Sequence, residues 1–440
     1  MSRQSITRAL EVFSLACLLA GSAWAQQPMA SLDRDRAQGM LKVVGDEVRK
    51  HYYDPNFHGL KWEARIEEAN QKIGNANSFG MALSYIAGAL DALNDSHTFF
   101  LPPQHGVRVD YGFQFQIIGE QCFVTRVRPK SDADTKGVKS GDQILSINGY
   151  DVNRDDLWKM QYVFSVLRPQ PQLHLELQDL TGSRHAIDAL AKVHQQKLVT
   201  DLTGPELWDV FRQWEEDDNH MRPRYLDIGD QLLVIRLPGF FGFQDDVGGM
   251  ISRASKYQNL ILDLRGNPGG SIETLKFLLG GIFDKEIKIG DRVGRKEKKP
   301  EMSKAMHNHF TGKLVVIINS NSASAAEIFA RIVQLEKRGV VIGDRSSGSV
   351  MEARHYNEQM GSGDGTYIFY GVSVTESDLI MSDGKSLEHV GVVPDEIVLP
   401  SANDLAAGRD PVLSHAAELL GTKITPEDAG KAFPYEWPAE

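Results

Sequence analysis

The sequence predicts a multidomain α/β protein: a small N-terminal helical domain, then a β-rich module, then an α/β domain with a mostly parallel sheet. Three observations predict it. The chain has 440 residues, about three times the ~150 that one domain takes. Its apolar pattern changes twice, from helical spacing to short runs broken by glycine turns, and then to strands alternating with helices. That last alternation is the mark of a sheet whose strands run parallel and are joined by helices. Hydrophobic residues at 41% and charged residues at 24% are ordinary for a globular chain. The net charge of 48 − 59 = −11 argues against binding nucleic acid phosphates.

Residues 1–25 read as a secretory signal peptide. Arg3 and Arg8 open it, an apolar stretch follows from Val12 to Ala20, and Ala23-Trp24-Ala25 supplies small residues for cleavage. The apolar run is shorter than the ~20 residues of a membrane span. Ser14 stands where a lipoprotein signal for Cys17 would want an aliphatic residue. The mature chain is expected to be exported, into a periplasm in a Gram-negative cell and otherwise outside it, with no transmembrane segment. Of the two cysteines, Cys17 and Cys122, one lies in that leader, so the mature chain is expected to hold no internal disulfide.

Residues 31–105 carry helical periodicity, with Met40, Val43, Val44 and Val48, then Ala82, Ile86, Ala89 and Leu93. Residues 109–195 change to strands at Gly112–Ile118, Cys122–Val127, Gln143–Ile147 and Leu173–Leu177. Residues 196–230 are a polar connector. In residues 231–420, strands are expected at Leu232–Leu237, Leu260–Leu264, Leu314–Ile318 and Val340–Ile342. Helices are expected at Ile272–Phe283 and Ala325–Glu336. Residues 284–310, rich in Lys, Glu and Gly, read as a solvated insertion. Its His307 and His309 are two metal-ligand types without partners, and no HExxH, CxxC or glycine-lysine phosphate loop occurs. No cofactor is expected.

Four segments could carry chemistry. In Leu314–Phe329 a buried strand runs into Asn-Ser-Asn-Ser-Ala-Ser and then a helix, which puts Ser322 or Ser324 at a helix N-terminus. The free amides and dipole there favour a nucleophile or an oxyanion. The same residues also fit a plain capping box, Ser324 with Glu327. Asn259–Gly270 leaves a strand through Asp263-Leu-Arg-Gly-Asn-Pro-Gly-Gly, and its glycines allow amides to point at a ligand. A phosphate loop or simple turn is the alternative there, although GxGxxG is not matched. Leu93–Thr98 holds Ser96 and His97, and Asp383–Asp395 holds Glu388 and His389. Each is unremarkable alone.

Together, from about Asp33 to Leu420, the four segments resemble the C-terminal processing peptidases (tail-specific proteases) and the related tricorn-core and retinoid-binding-protein group. Arg126 to Gly149 is similar to a PDZ module. The resemblance implies a serine-type peptidase with a ClpP/crotonase-like α/β domain, and Ser324 as nucleophile. Oxyanion donors would be the amides of Ala325 and of Gly269 or Gly270. The lysine base of the processing peptidases maps onto Ser349, and their helper aspartate onto Leu335, so the Ser–Lys dyad is missing. The tricorn-like constellation maps instead onto Ser324, His97, Ser96 and Glu388. A serine hydroxyl needs a base within hydrogen-bond reach. His97 can take the proton and return it to the leaving amine, with Ser96 and Glu388 orienting the ring. His389 and Lys385 are rival bases.

The resemblance also implies that Tyr111, Gly112 and Phe113 receive a peptide, with backbone amides for a C-terminal carboxylate; a module that merely spaces the other domains is the alternative. The substrates implied are unfolded or C-terminally exposed polypeptides. A non-catalytic member holding peptides or apolar ligands is the second reading. A small-ester α/β hydrolase is disfavoured because no Gly-x-Ser-x-Gly elbow surrounds Ser324.

Overall fold

The computed structural model describes residues 29–104, 106–195, 222–241, 244–361 and 367–437. The signal peptide and most of the connector lie outside the described residues.

Three helices come first: α1 (Ser31–His51), α2 (Trp62–Gly74) and α3 (Phe79–Asp91). Helix α1 buries Ala37, Met40, Leu41, Val44 and Val48, the i, i+3, i+4 spacing that gives one apolar stripe. Ser78 caps α3 by accepting the Met81 N–H at 3.2 Å. A short strand, β1 (Phe99–Leu101), follows His97 directly.

The β-rich region runs through β2 (Val107–Asp110), β3 (Phe113–Ile118), β4 (Gln121–Val127), a helical turn α4 (Asp132–Thr135), β5 (Gln143–Ile147) and β6 (Tyr150–Asp151). Helix α5 (Leu157–Gln161), extended by a wide turn over Tyr162–Leu167, leads to β7 (Gln172–Gln178), β8 (Arg184–Leu190) and β9 (Lys192–Gln195). Its sheet has the order β3-β4-β5-β7-β8, with β6 on β5. Strand β2 pairs β9, joining the two ends of the region. Phe113, Val124, Ile144, Leu175 and Leu177 fill a core of its own.

The remaining elements are β10 (Arg224–Ile228), β11 (Leu232–Arg236), α6 (Gln244–Ala254), β12 (Asn259–Asp263), α7 (Ile272–Ile282), β13 (Ile287–Gly294), β14 (Lys298–Ser303), β15 (Lys313–Ile318), α8 (Ala325–Leu335) and β16 (Val340–Gly343). A long hairpin, β17 (Met351–Gly361) and β18 (Tyr367–Met381), precedes β19 (Glu396–Ile397), α9 (Ala402–Ala406), α10 (Pro411–Leu419) and α11 (Pro426–Lys431). Strands β11, β12, β15, β16 and β19 pair in parallel, with β10 antiparallel at one edge. Alternate residues enter different cores, as the two-residue period of a strand requires. Leu260 and Leu262 face α6, α7 and α8, while Ile261 faces α10. With both faces covered, these strands are apolar throughout, which is why they stand out in the sequence.

Residues 284–310 differ from the expected solvated insertion. They hold the β13–β14 hairpin, which extends a second sheet of order β1-β18-β13-β14, with β17 also on β18. Their Lys and Glu side chains line strands whose pairing partner β18 lies some 80 residues on, and local composition carries no sign of that. This second sheet also carries the helical segment. Tyr370, Val372 and Val374 of β18 complete the core of α1 to α3, and β1 pairs β18 with Phe100 opposite Val372.

Phe100 is fully buried in that core. Phe100→Ala should cost about 3–5 kcal/mol through lost transfer energy and the cavity left behind. Chemical denaturation of the purified chain reads this directly; a change under 1 kcal/mol would mean that β1 is not anchored by this ring.

Candidate active site

Three loops leave the carboxyl ends of adjacent parallel strands, the usual place for a site in such sheets. The Arg265–Gly270 loop follows β12, Asn319–Ser324 follows β15, and Asp344–Val350 follows β16. Asn267, fully buried, ties the first two together. Its Nδ2 donates to Leu237 O at 2.9 Å, its carbonyl accepts the Ala323 N–H at 2.9 Å, and its Oδ1 accepts the Gly269 N–H at 2.8 Å. Asp263 and Arg265, the acid and base of the Asp-x-Arg run, form a fork completed by Asp410 at 2.7 Å. That fork anchors the loop from behind.

Ser324 stands at the start of α8 with φ 53° and ψ −118°, a conformation that side-chain-bearing residues avoid and that costs on the order of 1–3 kcal/mol. Its N–H holds it there, donating to Ser349 O at 2.9 Å and to Glu327 Oε2 at 3.0 Å. The Glu327 N–H is spent on the Ser324 carbonyl at 2.9 Å. Ser324 and Glu327 also form the capping box at the start of α8, so this segment fits a cap as well as a nucleophile. Ser322 is the structural serine. It is fully buried, and its hydroxyl donates to Leu264 O at 2.8 Å while accepting the Asn319 N–H at 2.9 Å.

Glu327 is a buried carboxylate the sequence reading treated only as a cap. Four donors converge on it: Ser346 Oγ at 2.6 Å, Gly348 N at 2.7 Å, Ser349 N at 2.9 Å and Ser324 N at 3.0 Å. Burial pushes its pKa up, to about 7, against the pull of those donors. It fixes the Ser324 backbone to the Gly348–Ser349 loop. Ser349 Oγ itself pairs with Ser347 Oγ at 2.8 Å.

Two glycines pack closely here, Gly269 on Ser324 and Gly270 on Phe240. A Cβ on Gly269 (φ 95°) would lie 2.6 Å from Ser324 Cβ, and one on Gly270 (φ 137°) would lie 2.4 Å from Phe240 O. Gly269's amide is spent on Asn267. Among the described residues the amides of Gly270 and Ala325 have no hydrogen-bond acceptor.

His97, Ser96 and Glu388 come together across 292 residues. Asp95 sets the turn: its Oδ1 accepts the N–H groups of His97 at 3.0 Å and Thr98 at 2.7 Å and the Thr375 hydroxyl on β18 at 2.7 Å. Glu388 accepts the Ser96 N–H at 2.7 Å, the Ser96 hydroxyl at 2.9 Å and the Val350 N–H at 2.8 Å. Ser96 Oγ has one proton and gives it to Glu388, so its 2.7 Å contact to His97 Nδ1 needs the ring proton on Nδ1. Nε2 is then left with its lone pair. Burial lowers the His97 pKa, nearby Asp95 opposes this, and His355 adds to it. Burial raises that of Glu388, against the N–H groups of Val350 and Ser96. Among the described residues no hydrogen bond joins Ser324 to His97. The two are linked through the Ser349–Val350 stretch, whose carbonyl takes the Ser324 N–H and whose next amide serves Glu388.

The rival bases are placed otherwise. His389 Nε2 contacts Asn94 O at 2.8 Å, and since a carbonyl only accepts, that nitrogen carries the proton. Lys385 is exposed in a turn. His307 and His309 belong to no group of three metal-ligand types among the described residues. Tyr111 and Gly112 are committed within the module. The Tyr111 hydroxyl donates to Gln170 O at 3.0 Å, and the Gly112 N–H donates to Asp110 Oδ1 at 2.8 Å. Phe113 is buried against the wall of a groove between β3 and α5.

The profile of peptidase family S41 matches residues 231–398, and that of the PDZ domain matches residues 104–167. Over residues 231–398 the chain is similar to peptidase family S41. It is a serine-type peptidase carrying a PDZ domain. The chain is 23% identical over 388 residues to carboxyl-terminal-processing peptidase 1, chloroplastic, of Arabidopsis thaliana, covering 84% of this chain and 73% of that one. It is 24% identical over 287 residues to the tail-specific protease of Haemophilus influenzae, covering 60% and 38%. It is 24% identical to a putative tricorn protease homolog of Streptomyces coelicolor, covering 86% and 31%, so it spans well under half of those last two. In fold it is similar to mature CPAF, with a TM-score of 0.63 at 14% identity over 86% of this chain and 95% of that one. It is also similar to the photosystem II D1 C-terminal processing protease, with a TM-score of 0.51 at 18% identity over 89% and 99%.

Gly269→Ala is expected to lower peptidase kcat/KM by about 10²-fold or more, because the added Cβ forces the glycine loop off Ser324 and shifts an oxyanion donor. Steady-state kinetics on a peptide substrate, with circular dichroism to show retained fold, checks it; unchanged kinetics would remove this loop from the site.

Proposed function

We propose that the protein is an exported serine endopeptidase that hydrolyses peptide bonds of unfolded or C-terminally exposed polypeptides. In this reading Ser324 is the nucleophile, His97 the base, and Ser96 with Glu388 the orienting pair. The observation that carries it is the hydrogen-bonded run from Glu388 through Ser96 to His97 Nδ1, which leaves Nε2 as the acceptor nitrogen. In the first step the Ser324 hydroxyl gives its proton to His97 Nε2 as Oγ bonds to the scissile carbonyl carbon. The carbonyl oxygen takes the negative charge, facing the amides of Ala325 and Gly270. Ser96 and Glu388 stabilise the imidazolium. His97 then protonates the leaving amine, the C–N bond breaks, and an acyl ester remains on Ser324. Water then gives a proton to His97 as its oxygen bonds to the acyl carbon; the ester C–Oγ bond breaks, His97 returns the proton to Ser324 Oγ, and the carboxylic acid leaves.

The PDZ domain would hold the polypeptide along the open edge of β3, which among the described residues pairs only with β4, by strand addition. The domain division in this reading is a helical segment over 31–105, the PDZ domain over 109–195 with a core of its own, a connector over 196–230 and the peptidase domain, of ClpP/crotonase-like kind, over 231–420; β10 (Arg224–Ile228) corrects the connector's end, because it pairs β11 in the peptidase sheet. Export rests on residues 1–25; among the described residues no helix is long and apolar enough to cross a membrane. The missing hydrogen bond between Ser324 and His97 favours a second reading, a non-catalytic member that binds peptides or apolar ligands.

Mass spectrometry of an unfolded protein incubated with wild type, Ser324→Ala and His97→Ala separates the two readings. Both variants should lose at least about 10³-fold in rate, and Lys385→Ala should lose nothing. Intact substrate with folded wild type would support the binding reading instead.

The pH profile is a further check. His97 acts as base only when neutral, and burial lowers its pKa below the ordinary ~6.5. Activity should therefore be full above that value and fall only as pH drops through the lowered pKa. An acid limb of kcat/KM centred above pH 7 would assign the base to another group.

A further inference from the structure

The segment that follows α11 leaves the peptidase domain and crosses to the PDZ domain. Phe433 anchors it: the ring is buried in the core beneath α10, with the guanidinium of Arg224 5.4 Å from its centroid. Beyond Phe433 the chain reaches β3 and β4. The Tyr435 hydroxyl accepts Gln114 Nε2, and the Arg126 guanidinium lies 4.8 Å from the Tyr435 ring centroid. The Arg128 guanidinium lies 4.8 Å from the centroid of Trp437, and the two rings meet edge to face at 5.2 Å. Gln114 and Arg126 are cross-strand partners on β3 and β4, so the pair forms a ready-made polar ledge. Tyr435 and Trp437 wall a groove of about 530 Å³ whose other side is Phe113, Ile147, Met160 and Leu173.

Two features make this contact a ligand-like one. Among the described residues no backbone hydrogen bond ties residues 434–437 to the PDZ domain; the attachment is by side chains alone. The segment also rests on the paired strands β3 and β4, with Tyr435 over the Gln114–Arg126 pair and Trp437 over Arg128 just beyond β4. Each ring-on-guanidinium contact is individually modest, so the segment is held firmly at Phe433 and weakly beyond it.

We infer that the ledge of Gln114, Arg126 and Arg128 is a binding site for an aromatic-x-aromatic polypeptide segment, and that Tyr435–Trp437 is its occupant in cis. The inference rests on the reading of the β3 groove as a polypeptide site and adds the class of segment it takes. A polypeptide of the same chemistry reaches the ledge only when the cis segment lifts, so its apparent affinity is reduced by the fraction of time the ledge is free.

The test uses the full chain, wild type and Tyr435→Ala/Trp437→Ala, with Phe433 kept so that the core anchor remains. A fluorescein-labelled hexapeptide of sequence FPYEWP is titrated by fluorescence anisotropy. The double variant should bind it about tenfold more tightly than wild type, with an unchanged thermal melt, and Arg126→Gln in the double variant should undo the gain. Equal affinity in wild type and double variant would overturn the inference. A second labelled peptide, free of aromatic residues and ending in a free carboxylate, separates the two levels. If it binds both proteins while FPYEWP shows no dependence on Tyr435 and Trp437, the cis occupant is wrong and the groove reading stands. If neither peptide binds either protein, the groove reading fails and the inference with it.

Discussion

Glu388 is the point at which two distant stretches of chain become one site. One carboxylate accepts the N–H and hydroxyl of Ser96 and the N–H of Val350, so the turn before β1 and the loop after β16 share a single anchor. A buried carboxylate left without such donors would pay the full cost of desolvation. The two stretches are therefore bound to each other through Glu388, and neither can shift alone. His97 inherits its orientation from this anchor through Ser96, and Ser324 is tied to the same loop through Ser349 O.

What places Ser96 within reach of Glu388 is ordinary sheet pairing. β1 is only three residues long, yet it pairs β18, and Asp95, Thr98 and Thr375 lock the register with side-chain hydrogen bonds. The core of α1 to α3 is closed by Tyr370, Val372 and Val374 of the same strand. Packing energy from the helices thus holds the histidine turn against the peptidase domain. Two segments 227 residues apart in sequence need this kind of rigid support, since a side chain on a loose loop could not keep a defined distance to the nucleophile.

Much of this was legible in the sequence where the physics is local. The parallel strands are apolar on both faces, and β12 and β15 lie within a residue of their expected bounds. The serine before α8 and the paired glycines after β12 announce themselves by helix-start and turn chemistry. The β13–β14 hairpin did not, because its partner β18 is remote and its exposed face is charged. The β17–β18 hairpin was not read from the sequence either, although its two strands are sequence neighbours that pair each other. Asn267 and Glu327 were visible as letters, but their roles depend on burial. An Asn in a turn is ordinarily a turn-former, and a Glu three residues into a helix is ordinarily a cap. Only the convergence of four donors on one buried carboxylate distinguishes Glu327.

The serine at position 349 makes sense in this light. A lysine there would bring its amine to the nucleophile from the loop beside it; Ser349 brings only backbone to Ser324, and its hydroxyl is turned to Ser347. An alcohol cannot serve as base near neutral pH, so the loop keeps its architectural task and loses the chemical one. In the proposed reading the base arrives from another element, as the His97 imidazole in the turn ahead of β1, whose Nδ1 faces Ser96. The loop that holds the Ser324 backbone and the turn that carries His97 meet at one carboxylate, Glu388. Position 349 is thereby free to be a small residue, and the burden of specifying the site passes from one lysine to a fold-wide contact between β1 and β18.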